Sequence, residues 1–262
     1  MSDLVKYEGR QGSFEYNPDI WSVNEKTGLI RFKDSYVGAI RLPKGIKSCA
    51  EMFMDCNIQS GCYFSVFDTA EVEDMRDMFN GATIPDGLFS DLDTAKVEDM
   101  SKMFAYCEVP DNFTLPASFS TRNVRDMSFM FQGCKLPDDF SLGDKFDTSS
   151  VIDMNYMFFK ANLPFRFSLG DKFDTKNVTS MKAMFMKCEA EGDFDLGKKF
   201  TTENVVDTTS MFESCNFSEE FFEKHKFEIP RVLRAWRMYY GCDLPEGFVV
   251  PDSRPTRPTS FF

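Results

Sequence analysis

Residues 124–134 read VRDMSFMFQGC, and the phrase returns along the chain. Residues 46–56 are IKSCAEMFMDC, 72–82 VEDMRDMFNGA, 97–107 VEDMSKMFAYC, 151–161 VIDMNYMFFKA, 178–188 VTSMKAMFMKC, 205–215 VVDTTSMFESC and 232–242 VLRAWRMYYGC. The leading residues are Ile46, Val72, Val97, Val124, Val151, Val178, Val205 and Val232, so the spacing is 26, then 25, then 27 five times. A phase this regular leaves no room for an inserted second domain, and self-similarity at such a period is the mark of a repeat architecture. The chain reads as one array of about eight turns.

Within each segment the apolar residues stand at positions 1, 4, 7 and 8, as Val124, Met127, Met130 and Phe131 do. That is the spacing of one helical face, and it predicts a short helix in every unit. Position 3 is Asp74, Asp99, Asp126, Asp153 or Asp207, with Ser48 and Ser180 in two other units and Arg234 in the last. Asp and Ser share the ability to cap a helix amino terminus. Serine in the same slot argues against a calcium ladder, which needs several converging oxygen ligands.

The rest of the unit, KLPDDFSLGDKFDTSS at 135–150, has parallels in EVPDNFTLPASFSTRN at 108–123 and NLPFRFSLGDKFDTKN at 162–177. Alternation there puts Phe140 and Leu142 on one side, like Phe113 and Leu115 or Phe167 and Leu169, which predicts a short strand. The expected fold is therefore an α/β repeat solenoid, with a parallel sheet on one side and short helices on the other, each turn completed by its neighbours. Residues 1–36, with a turn at Lys26–Gly28, read as a hairpin cap; 37–250 form the array, and 251–262 a flexible proline-rich tail.

Six cysteines, Cys56, Cys107, Cys134, Cys188, Cys215 and Cys242, share position 11, where Ala82 and Ala161 stand in two other units. Alanine as the alternative marks a small apolar filler, and side chains stacked in parallel are badly placed for bridging. Free thiols follow, suited to a reducing compartment. No CxxC pair occurs and His225 is the sole histidine, which leaves no zinc site of Cys/His type. No metal and no cofactor are expected.

The strings FDTSSVIDMNYMF at 146–158, FDTKNVTSMKAMF at 173–185, FDTAEVEDMRDMF at 67–79 and FSTRNVRDMSFMFQGC at 119–134 resemble the BspA-like branch of leucine-rich repeats, the bacterial surface-protein repeat of about 26 residues. The resemblance covers about residues 40–250. It implies a right-handed leucine-rich-repeat-like superhelix, of a kind found in adhesins and lipoproteins of bacteria and in repeat proteins of protists and large viruses. Such relatives mostly bind proteins or surfaces, and the family has no common catalytic residues. The amino terminus has no apolar run of the kind a secretory signal requires, so an intracellular, cytoplasmic place is expected, with the cell surface or a virion as alternatives.

The charge is -12, from 30 Lys and Arg against 42 Asp and Glu. Such a balance disfavours direct contact with nucleic acid or anionic lipid, and no apolar stretch is long enough for membrane insertion. Residues 230–262 run against the trend, with five Arg and three acids. No glycine-rich phosphate loop or nucleophile elbow occurs, so an enzyme is not expected. The expected function is a non-catalytic interaction module or scaffold for a protein partner; a surface adhesin and an acidic decoy inhibitor of a nucleic-acid-binding enzyme are the alternatives.

Two surfaces are candidates for binding. The outward strand positions are Tyr63, Phe89, Asp91, Thr114, Asp139, Ser141, Arg166, Ser168, Asp193, Asp195, Glu220 and Phe222, with Phe89 and Phe222 as candidate aromatic anchors. The last unit adds Arg231, Arg234, Trp236 and Arg237, a basic stripe that doubles as a cap for the open end. Self-association through an end of the array is a further expectation.

Overall fold

The computed structural model describes residues 3–88, 92–190, 192–225 and 227–250. Phe89, Asp91 and the tail 251–262 lie outside them. The array is preceded by two antiparallel hairpins, β1 (Val5–Gly9) with β2 (Gly12–Tyr16) and β3 (Trp21–Val23) with β4 (Ile30–Phe32). Then come β5 (Ala39–Arg41) paired in parallel with β6 (Tyr63–Val66), β7 (Asn162–Leu163) paired in parallel with β8 (Glu189–Ala190), and α1 (Glu219–Lys224).

The eight aligned segments stack as rungs. Single parallel bridges join position 3 of each to position 3 of the next, in the order Ser48, Asp74, Asp99, Asp126, Asp153, Ser180, Asp207, Arg234. The helix expected in each unit does not form: among the described residues, α1 is the one α-helix. In residues 124–134 the amides of Met130, Gln132 and Cys134 donate to Met127, Phe129 and Phe131, three positions back. Those of Met127, Phe129, Phe131 and Gly133 donate to Asp153, Asn155, Met157 and Phe159 of the next rung. A helix would direct all of these amides to carbonyls four residues back. Here three close turns and four cross between rungs, so the crossing amides are satisfied only in the stack.

The turns need left-handed residues in third place, and positive φ recurs at positions 6 and 10. It is found at Phe129 and Gly133, at Lys102 and Tyr106, at Tyr156 and Lys160, and at Arg237 and Gly241. At Gly133 a Cβ would also lie 2.5 Å from the Tyr106 ring. The position 3 aspartates cap these turns rather than helices: Asp126 Oδ1 accepts from the amide of Ser128 at 2.8 Å, and Asp153 Oδ1 from that of Asn155 at 2.8 Å.

The strand expected at Phe140–Leu142 is also corrected. Among the described residues, parallel pairing in that column is confined to β5–β6 and a single bridge between Ser168 and Asp195, because intervening turns, such as Pro137 to Phe140, consume the amides locally. In the corresponding stretch of the seventh unit, α1 is capped by Ser218, whose side chain accepts from the amide of Phe221. Helical phase turns Phe222 fully inward, so this candidate anchor is part of the core.

The core is a set of columns. Phe53, Phe79, Phe104, Phe131, Phe158, Phe185, Phe212 and Tyr239 stack at centroid spacings of 5.1 to 5.8 Å, with planes within 15° of parallel. Val and Met at positions 1 and 4 are buried beside them from Val72 to Met181. Buried threonines bind the rungs from within: Thr121 Oγ1 donates to the Asp147 carbonyl at 2.8 Å, Thr148 to Asp174 at 2.9 Å and Thr175 to Thr201 at 2.7 Å.

The first rung is closed. Gln11, fully buried, donates through Nε2 to the Ala50 carbonyl at 3.1 Å; the amide of Phe32 donates to Met52 at 2.8 Å, and Arg31 Nη2 donates to Met54.

Candidate functional site

The last rung, residues 232–242, differs from all before it. Its carbonyls at Arg234, Trp236, Met238 and Tyr240 accept from Thr208, Ser210, Phe212 and Ser214. Its outward amides, at Ala235, Arg237, Tyr239 and Gly241, find no acceptor among the described residues. In each of the seven preceding rungs the equivalent amides are all engaged. The array therefore ends on an edge that presents only donors.

Around this edge stand Leu233, Trp236 and Tyr240, exposed by 66%, 70% and 61%. Apolar exposure on this scale is expensive. The Arg237 guanidinium lies 4.1 Å from the Tyr240 ring centroid and 5.1 Å from that of Trp236, which holds both rings in place. Arg237 also pairs with Glu213, and Arg234 Nη1 sits 3.3 Å from Asp207 Oδ2. Both acids belong to the rung below, so two of the three arginines are positioned through the stack. Arg231 is exposed and makes no ion pair among the described residues. The Nε of Arg237 and the hydroxyl of Tyr239 are buried without a hydrogen-bond partner. Phe222, Glu223, Phe227 and residues 245–249 line a cleft of about 460 Å³, with Phe222 and Phe248 meeting the Tyr239 ring.

The outward strand positions are less unified. Tyr63, Thr114, Asp139, Ser141, Arg166, Ser168, Asp193 and Glu220 are exposed. Asp195 is half-buried, taking a hydrogen bond from Lys224 at 3.1 Å and one from Ser168 at 3.4 Å. Partial burial alone would raise the Asp195 carboxyl, but the Lys224 ammonium holds it below its ordinary value. His225, packed on Phe221, is pushed down by burial and by Lys224. Lys224 and Asp195 thus neutralise each other at this point of the surface. No group of three or more His, Cys, Asp or Glu able to hold a metal occurs among the described residues, and none of their helices is long and apolar enough to cross a membrane.

The family model described as "Mycoplasma protein of unknown function, DUF285" matches residues 47–162 and again 138–245. The chain belongs to the DUF285 family. The two matches overlap and together run from the first rung into the last, so the stack of rungs is the DUF285 region and the hairpins β1–β4 precede it. No curated protein and no solved structure matches the chain.

One surface of the DUF285 region escaped sequence reasoning. Phe129 and Tyr156, both at position 6, stack at 4.7 Å with planes 3° apart, flanked by Lys102 over Phe129 at 5.6 Å and Lys182 over Tyr156 at 5.7 Å. Position 6 is otherwise polar or small, being Glu51, Asp77, Lys102, Ala183, Ser210 and Arg237. Two adjacent aromatics in that column were the signal.

Proposed function

We propose that this DUF285 chain is a non-catalytic protein-interaction module, a BspA-like, right-handed leucine-rich-repeat superhelix that binds a protein partner through its last rung and its outward strand positions. Repetition of one rung in parallel register supports the superhelix. The single observation carrying the function is the last rung, where three large apolar side chains stay in water around positioned arginines. Aromatic and arginine side chains of this kind are the residue types that dominate binding energy. The net charge of -12 turns such a module away from nucleic acid and towards protein.

The test is affinity capture by the full chain followed by titration with each purified interactor, comparing Trp236→Ala with a strand-position variant, Asp139→Ala/Arg166→Ala. A purified protein whose affinity drops about tenfold or more with either variant supports the module, that being the scale of a hot-spot truncation above 1 kcal/mol. If every purified interactor binds the wild type and both variants alike, the reading is wrong.

A further inference from the structure

We infer that the open edge of the last rung takes an acidic peptide segment of the partner protein. The segment lies parallel to the rung, its alternate backbone carbonyls receiving the amides of Ala235, Arg237, Tyr239 and Gly241, and its carboxylates meeting Arg231, Arg234 and Arg237. The inference rests on the protein-binding reading above and names the class of partner.

The stack itself sets the rule. At every junction four alternate amides of one rung donate to four alternate carbonyls of the next, as Met181, Ala183, Phe185 and Lys187 do to Asp207, Thr209, Met211 and Glu213. The last rung repeats the donor half of this arrangement with no acceptor half among the described residues. Strand addition to an exposed edge is an established mode of peptide recognition in which main-chain bonds give affinity and side chains give specificity.

Charge selects the sequence of the occupant. A donor-only edge carries the partial positive charge of four amides, and the arginines add to it. Position 3 presents aspartate in five rungs but Arg234 here, and position 6 presents Arg237. Across the junction below, Asp207 and Glu213 already show the pairing, each carboxylate meeting an arginine of the adjoining rung. Acidic side chains on the far side would repeat it and give Arg231 its counter-charge.

A second copy of the chain does not fit. Head-to-tail stacking would need the carbonyls of the first rung, but Ala50, Met52 and Met54 already accept from Gln11, Phe32 and Arg31. Tail-to-tail stacking would set donors against donors and arginine against arginine. Residues 251–262, with Arg254 and Arg257 against Asp252, carry the wrong charge.

The experiment uses the full chain and two fluorescein-labelled peptides, one alternating Asp and Ser and one alternating Lys and Ser. Binding is read by anisotropy and amide exchange by nuclear magnetic resonance. The expected result is binding of the Asp-Ser peptide alone, weakened at least about tenfold by Arg231→Glu and restored by Arg231→Lys. Exchange at Ala235, Arg237, Tyr239 and Gly241 should slow on binding, while the amides of the other rungs stay unchanged. Equal binding of the two peptides, indifference to Arg231→Glu, or unprotected edge amides would overturn the inference. Those outcomes leave the module itself standing if a purified partner still responds to the strand-position variant, so the two failures are distinguishable.

Discussion

Phe131 and Phe158 stack with ring centroids 5.7 Å apart and planes 8° from parallel, although 27 residues separate them. Each is fully buried, and each also meets an aromatic edge, Phe131 that of Phe140 and Phe158 that of Phe167. Truncating Phe158 to Ala removes contacts on both neighbouring rungs. We expect a loss of about 3–5 kcal/mol, measured by urea unfolding, and a smaller loss for Phe158→Leu. A Phe158→Ala chain as stable as wild type would mean that the column does not hold the rungs together.

Thr148 ties two rungs by a different bond. Its buried hydroxyl donates to the carbonyl of Asp174. Thr148→Val keeps the shape and leaves that carbonyl unpaired, so it should cost about 1–3 kcal/mol. Thr148→Ser keeps the donor and should recover most of that stability. Equal melting of the Val and Ser variants would assign the stability to packing alone.

The inward columns are legible in the sequence because position 1, 4, 7 and 8 residues recur at fixed spacing, and neighbouring rungs must place them one above another. The local backbone is not legible by that route. A helix face and a run of turns bury the same positions, so Val124, Met127, Met130 and Phe131 do not separate the two. What does separate them is position 10, where Gly81, Gly133 and Gly241 mark a left-handed site. Helix α1 had its own signal, Ser218 followed by Glu219 and Glu220 with Lys224 in the last turn. Of the candidate site, the arginine stripe and Trp236 could be read directly. The unpaired amides beside them could not, because an edge exists only once the order of stacking is known.

Gln11 couples the hairpins to the array. Its Nε2 donates to Ala50, its Oε1 accepts from the amide of Ile30, and its own carbonyl accepts from Lys47. Gln11→Leu strands a buried carbonyl and a buried amide, which should cost about 2–6 kcal/mol at about 1–3 for each unpaired group. Hydrogen exchange should show the loss first in β3, β4 and the first rung. Uniform loosening along the whole chain would contradict a local role.

Within the aspartate column, Asp153 carries a charge penalty. Burial raises the Asp153 carboxyl above its ordinary value and the nearby Asp126 adds to this, partly opposed by hydrogen bonds from Asn155. A carboxyl with a raised folded value binds its proton more tightly in the fold, so its ionisation costs stability above that value, and the cost fades as pH falls towards the unfolded value. Asp153→Asn keeps the side-chain oxygen that caps the turn and removes the charge. It should stabilise the chain at pH 7 by about 0.5 kcal/mol, on the scale of opposed like charges, with the gain disappearing in acid. A gain that persists unchanged at pH 3 would point to some cause other than charge.

The thiols differ enough to be told apart in the native chain. Burial pushes Cys56 and Cys134 up to about 12 and raises Cys49, Cys107 and Cys188 as well. Cys242 alone is half-exposed, and its sulfur lies 3.7 Å from that of Cys215. A hydrogen bond from Cys215 lowers Cys242 below the usual thiol value, while Cys215 is raised by the same pairing and by burial. Reactivity follows the thiolate and its access. A disulfide reagent should therefore modify Cys242 first in the folded chain, and the remaining seven cysteines only on unfolding. Cys215→Ala removes the donor, so the pH at which Cys242 reaches half its maximal rate should move up. Mass spectrometry of the first labelled site and the pH profile of its rate check both statements. Early labelling at Cys56 or Cys134 would show that the rungs open far more readily than their packing implies.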